Sequence, residues 1–285
     1  MPGPYHRSIA RQVQGLEILA HALSIPLDQQ VWTTYDEFHK LYRKTGERAL
    51  TAIKAGQLCG ELALKAYVTY GPKVLWHGSP FAPSELKKRA GKLVLSPRQA
   101  FSLDGAGHSF AHTEPAIFCD AKYQYPVVRS LINEIRVPDD FGNVALAKQR
   151  DRYGGRFLFT SQEYLDTIGP DAEGWGYGIP WDSNDPDLNT TYRDWISGGD
   201  DEFRIRHDVV PVVWIKTKLS DLPPQHLVIL DGDGDQVRAF IRELPEAGLA
   251  EHMNKFANSV HARTLSGSFP LDTHPAVVRQ LPEAQ

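Results

Sequence analysis

The residue pattern changes character at Gly71-Pro72, and that change limits what the chain can fold into. Before it, apolar residues recur at helical spacing. In ARQVQGLEILAHALSI, Val13, Leu16, Leu19, Ala20 and Leu23 share one face. In TTYDEFHKLYRKTG the stripe is Tyr35, Phe38, Leu41 and Tyr42, with Thr33 or Thr34 as a cap and Gly46 as a stop. ERALTAIKAGQLCGELALKAYVTY predicts a further long helix. Lys54, Glu61 and Lys65 within it mark a core helix and not a membrane span. Gly56 and Gly60, four apart, would allow close helix contact.

After Gly71-Pro72 come short apolar runs bounded by Gly, Pro, Ser and Asp, which predict strands at 73–77, 92–96, 116–120, 156–160, 209–217 and 226–231. Helices are expected over PVVRSLINEI from Pro126, and after the capping box Thr160-Ser161-Gln162-Glu163, where Gly169 closes the turn. A last one, DQVRAFIREL, follows LDGDGD. Strands with few helices between them point to an α+β fold with a largely antiparallel or mixed sheet. Residues 169–201, rich in Gly, Asp, Asn and Trp, read as a long loop, of a length that usually carries function. Periodicity fades after about Ala250. The expected organisation is an N-terminal helical region (1–70), an α+β domain (71–250) and a C-terminal tail (251–285), without internal repeats.

The 41% hydrophobic and 23% charged residues are those of a soluble globular protein, long enough to bury a sizeable core. A net charge of -4 disfavours retention on long nucleic acid by bulk electrostatics. The opening MPGPYHRSIARQ lacks a basic segment followed by an apolar one, so no cleaved secretory signal is expected. No apolar run reaches the length of a membrane span, and no membrane partner is expected. The expected location is cytoplasmic, or a target cell reached without a cleaved signal. Cys59 and Cys119 are too few for a disulfide scaffold or a cysteine zinc site.

The chemistry-bearing stretch is VLWHGSPF, residues 74–81. A strand delivers His77 to its end, and Gly78, lacking a Cβ, would let a ligand approach the backbone. Backbone N–H and C=O groups there could pair with an amide, and the imidazole with a hydroxyl. The ordinary alternative is a turn with a satisfied histidine. His108 and His112 are four apart, near Glu114 and Cys119, but GAGHSFAHTEP is a poor helix and HExxH is missing, so no metal site is expected. Those histidines could instead meet a phosphate from a loop. DGDGDQVRAFIRE has the look of a calcium loop, yet Gln236 occupies position six and Arg242 position twelve, so it reads as a strand-to-helix turn. Neither GxGxxG nor GxxxxGK[ST] occurs, which removes support for a Rossmann site or a P-loop.

Taken in order, VLWHGSPF, SELKKRAGKLVLSPRQ, HTEPAIFCDAKYQYP and DDEFRIRHDVVPVVWIK resemble the ADP-ribosyltransferase family, in its diphtheria-toxin/PARP-like His-Tyr-Glu branch. That branch includes the poly(ADP-ribose) polymerases and small bacterial enzymes such as rifampicin ADP-ribosyltransferase. The resemblance runs from Val74 to Pro223. It implies split mixed or antiparallel β-sheets and NAD as co-substrate. It also implies cleavage of the nicotinamide–ribose bond with transfer of one ADP-ribose to a macromolecular acceptor, protein or nucleic acid. A bacterial toxin or effector of this kind would have a cognate inhibitor or antitoxin as partner.

By the same resemblance, Gly78 would bind the carboxamide through its backbone, Ser79 would hydrogen-bond that carboxamide, and His77 would hold the adenosine ribose. Glu202 would be the catalytic acid, bonding the nicotinamide ribose and stabilising the oxocarbenium-like transition state. Asp200 and Asp201 are its rivals. Asp200 also sits two residues before Glu202, where related branches select the acceptor. The family's second motif carries a Tyr that packs on nicotinamide, and AIFCD places Ile117 there. The aromatic wall would then come from Tyr125, Tyr123 or Phe118, favoured in that order from Tyr125. Loop 169–201 would contact the acceptor. The alternatives are an NAD glycohydrolase, an RNA 2′-phosphotransferase-like enzyme using Arg98, Arg204, Arg206 and His207, and a non-catalytic binding module of the same fold.

Overall fold

The computed structural model describes residues 4–25, 35–98, 101–103, 109–111, 115–132, 144–150, 156–181, 191–193, 201–221, 227–243, 249–264 and 267–268. The chain divides into two compact units, Met1–Lys73 and Val74–Gln285.

The first unit is helical. α1 spans Pro4–Ala22, α2 Tyr35–Lys54 and α3 Gly60–Tyr70. Of the expected stripes, Leu16, Leu19, Ala20 and Phe38 are buried and Val13, Leu23, Leu41 and Tyr42 half-buried, while Ala49 and Ile53 are buried further along α2. The expected stop at Gly46 is not one. The ring of Tyr70 packs where a side chain at 46 would stand, so the helix runs through. The break comes after Lys54 instead, where Gly56 takes φ 70°, a left-handed conformation that ends α2 and divides the long helix expected from 47 to 70.

The second unit is α+β. Its elements are β1 (Val74–Ser79), α4 (Pro83–Ala90), β2 (Phe101–Leu103), β3 (Ser109–Ala111), β4 (Ile117–Asp120) and α5 (Gln124–Leu131). They continue with β5 (Val144–Arg150), β6 (Arg156–Ser161), α6 (Gln162–Ile168), β7 (Glu173–Pro180), β8 (Thr191–Arg193), β9 (Asp201–Ile205) and β10 (Val213–Lys218). The last are β11 (Leu227–Gly232), α7 (Gly234–Arg242), α8 (Leu249–Lys255), β12 (Val260–Thr264) and β13 (Gly267–Ser268).

One sheet has the order β10-β7-β1-β4-β9-β8 and a second β13-β12-β11-β6-β5, with β2 and β3 forming a separate hairpin. The first sheet is antiparallel throughout, while β6 and β11 pair in parallel. Two cores result. Leu75, Leu86, Leu95, Ile117, Tyr177 and Phe203 fill one beside the first sheet. Phe159, Val228, Leu230, Phe240, Phe256 and Val260 fill the other against α7 and α8.

Three sequence expectations change here. Residues 169–201 are not one long loop, because they hold β7, flanked on both sides by β1 and β10. Segment 92–96 contributes a single bridge, Leu95 to Val209, and no strand. The stretch after residue 250 is not all tail, since β12 is built into the second sheet beside β11.

The helix ends follow local chemistry. Ser161 caps α6 by accepting the Tyr164 N–H at 3.0 Å, one residue later than the expected Thr160. Asp233 caps α7 by accepting from the N–H groups of Asp235 and Gln236, so DGDGD is the expected strand-to-helix turn. Among the described residues, no helix is long and apolar enough to cross a membrane.

Candidate functional site

β1 runs through the middle of the first sheet, between β7 and β4. Alternation sends Leu75, His77 and Ser79 to one face, and Val74, Trp76 and Gly78 to the other.

The second of these faces is covered by α5. A Cβ built at Gly78 would stand 2.6 Å from the Pro126 carbonyl carbon, closer still to its oxygen, and 3.0 Å from the Ser130 nitrogen. A Cβ at Gly174 on β7 would stand 2.8 Å from that of Ser130. The helix therefore rests directly on the backbones of β1 and β7. The space that the sequence offered to a ligand above the Gly78 Cα is filled by the first turn of α5. Trp76, 1% exposed, meets the Tyr123 ring edge-on with centroids 6.5 Å apart. Phe118 lies opposite the core-facing Ile117 and Cys119, and the Arg204 guanidinium stands 5.2 Å from its ring centroid.

The first face carries the polar constellation. His77 Nδ1 lies 2.9 Å from the Phe118 carbonyl oxygen, a contact that assigns the proton to Nδ1. Nε2 is then a lone-pair acceptor, suited to a hydroxyl donor. Burial lowers the His77 pKa, the bond to Phe118 opposes that, and the charge of Arg98 lowers it further. The ring is therefore neutral at neutral pH.

Tyr177, opposite His77 on β7, is fully buried and donates its hydroxyl to the Phe81 carbonyl at 2.7 Å. Burial and the nearby Glu85 carboxylate hold that phenol protonated. Ser79 is buried, and its Oγ accepts the Phe81 N–H at 3.2 Å, which fixes the turn leaving β1. The Phe81 ring carries the Arg89 guanidinium 3.9 Å from its centroid and that of Arg98 at 5.2 Å. Beside this turn opens a cleft of about 480 Å³, lined by Pro80, Glu85, Asp171, Glu173 and Trp175 among others. Lys216 Nζ bonds Glu173 Oε1 at 2.7 Å.

His77, Ser79 and the Phe118 carbonyl thus meet on one face. The rings of Phe118 and Tyr123 belong to the α5 side of the sheet, whereas the rings on the His77 side are Phe81, Trp175 and Tyr177. The side chain of Tyr125 lies outside the described residues, although its backbone is in α5. The same holds for Glu202, whose backbone is in β9. Register puts Glu202 level with Asp120 on β4, and Asp120 level with Trp76 on β1. Two strand spacings, about 10 Å, separate those rows of backbone. Glu202 is one residue out of step with Phe203, which is buried in the cluster on the His77 side.

Asp200, His108, His112 and Glu114 lie outside the described residues. Within those residues no group of three His, Cys, Asp or Glu could hold a metal ion. Phe81, Arg89 and Trp175 escaped the sequence reading. The signal for Arg89 was the basic last turn of α4, Lys87-Lys88-Arg89. No protein-family model, no curated protein and no solved structure matches this chain.

Proposed function

We propose that the chain is an NAD-dependent mono-ADP-ribosyltransferase acting on a macromolecular acceptor, as a bacterial toxin or effector would. The observation that carries the reading is His77. A neutral imidazole is tied at Nδ1 to the Phe118 carbonyl and keeps Nε2 for a ligand, inside a Trp-His-Gly-Ser strand end that resembles the family's first motif.

In this reading His77 Nε2 accepts a ribose hydroxyl of NAD. The nicotinamide ring, which is cationic in NAD, enters the cleft beside Trp175. Glu85 and Asp171 complement its charge there, Glu173 being paired with Lys216, and the indole gives it a flat wall. The C–N bond to nicotinamide then breaks, and nicotinamide leaves with the electron pair. Positive charge develops on the ribose, where a β9 carboxylate favours it more in the transition state than in bound NAD, either Glu202 or its rival Asp201, whose position falls in step with Phe203 on the His77 side. One such preorganised group supplies about 3 kcal/mol, roughly a hundredfold in rate. A nucleophile on the acceptor forms the new bond to the ribose carbon and loses its proton.

The test is incubation of the purified chain with adenine-labelled NAD and cell lysate, beside Glu202→Ala. Label should pass to a lysate protein or nucleic acid with the wild-type chain and not with the variant. Nicotinamide release with no labelled macromolecule would replace transfer by NAD hydrolysis. Intact NAD in every sample would reject the reading.

A further inference from the structure

We infer that Arg89 and Arg98 form an anion clasp on Phe81 that takes the diphosphate of a dinucleotide. The inference rests on the function proposed above and adds two residues to the same site.

Arg98 is held by a backbone bridge, its N–H and carbonyl paired with those of Ala116 at 3.2 and 3.0 Å. Arg89 projects from the last turn of α4. The two guanidiniums converge on one ring, at 3.9 and 5.2 Å from its centroid. Phe81 itself is anchored, because Tyr177 holds its carbonyl and Ser79 its N–H. The platform under the two charges is therefore fixed.

Neither arginine has a carboxylate partner among the described residues. Like charges held near one ring are unfavourable, and an anion between them removes the repulsion. Partial burial, and then the charge of Arg89, lower the Arg98 pKa below the ordinary guanidinium range. Tyr177, which holds the Phe81 carbonyl, is the register partner of His77, so the clasp and the imidazole belong to one side of the sheet, and the Arg98 charge also lowers the His77 pKa. A ligand with a ribose hydroxyl and an adjacent diphosphate fits that order. Forked guanidinium donors suit phosphate oxygens, and two cations match a group that carries two negative charges. If the arginines served only to cover the Phe81 ring, no affinity for anions would follow.

Isothermal titration of the full chain at low salt tests this, with inorganic pyrophosphate, ADP-ribose and adenosine as probes. Both arginine side chains are exposed, so Arg89→Gln and Arg98→Gln should fold, with unchanged melting temperatures as the check. Each substitution should weaken pyrophosphate and ADP-ribose about tenfold and leave adenosine unaffected. Arg98→Lys should recover part of the loss, since it keeps charge without the fork. Absence of pyrophosphate binding by the wild-type chain would overturn the clasp, as would Gln variants that bind ADP-ribose like wild type. The two readings fail separately. Pyrophosphate binding that requires both arginines, without NAD cleavage, keeps the clasp and removes the transferase. NAD cleavage with ADP-ribose affinity indifferent to both arginines does the reverse.

Discussion

Gly78→Ala separates two reasons for a glycine beside His77. In the structure the added methyl would stand 2.6 Å from the Pro126 carbonyl carbon and 3.0 Å from the Ser130 nitrogen. Carbon atoms at rest sit about 3.5–4.0 Å apart, so the helix or the strand must give by roughly 1 Å or more. The obstructing atoms are backbone and cannot rotate away. α5 also lies on Gly174 of the neighbouring strand, so a shift at one contact strains the other. Overpacking costs about 1–3 kcal/mol, and this site belongs at the top of that range, about 3 kcal/mol. For a unit the size of Val74–Gln285, each ~1 kcal/mol moves the melting temperature by about 2–4 °C, so a fall of roughly 6–12 °C is expected. The assay is thermal unfolding followed by circular dichroism. Gly234→Ala is the control. Its Cβ would meet the Arg238 guanidinium at an ordinary 3.6 Å on the first turn of α7, and the change should be neutral or stabilise by up to about 1 kcal/mol. A Gly78→Ala protein that melts within about 1 °C of wild type would refute the packing argument. If that variant also lost affinity for NAD, the glycine would serve ligand approach alone.

Ser161→Ala removes the cap of α6 and should cost about 1 kcal/mol in urea unfolding, and no loss would show that Tyr164 finds another acceptor. Stability should also fall on acidification. Burial lowers the pKa of His77 and of His252 below 6.5, so the unfolded chain takes up protons that the folded chain does not. Their contribution is complete above that value and is lost as pH falls through 6.5 towards the folded pKa values. Urea midpoints measured across that window should decline less steeply in a His77→Gln, His252→Gln double variant. An equal decline would assign the acid sensitivity to other groups.

Much of the fold is legible where one signal dominates. Apolar spacing locates α1 and α2, DGDGD marks the turn into α7, and the capping box from Thr160 locates the start of α6 to within one residue of its cap, Ser161. β7 is hidden because Gly174, Gly176 and Gly178 alternate with Trp175 and Tyr177. Glycines weaken the strand signal, yet Gly174, like Gly78 on β1, is what lets α5 lie against the sheet, a long-range requirement that local propensity does not express. Gly46 misleads for the same reason, since the ring that needs its space, Tyr70, is distant in sequence. At the site, His77 at a strand end is legible from VLWHGSPF. The convergence of Arg89 and Arg98 on Phe81 is not, because it depends on a helix end and a bridge to Ala116 meeting at one ring.

If this chain breaks the nicotinamide–ribose bond of NAD with a carboxylate on β9, nicotinamide release from NAD reports it directly. The wild-type chain should release nicotinamide, His77→Ala should bind NAD more weakly, and folded Glu202→Ala should lose about a hundredfold in rate. Asp201→Ala belongs in the same experiment, because β9 alternates and Asp201 falls in step with the core residue Phe203. A loss confined to Asp201→Ala would move the acid by one residue. A wild-type chain that neither binds NAD nor releases nicotinamide would rule out an NAD-dependent transferase.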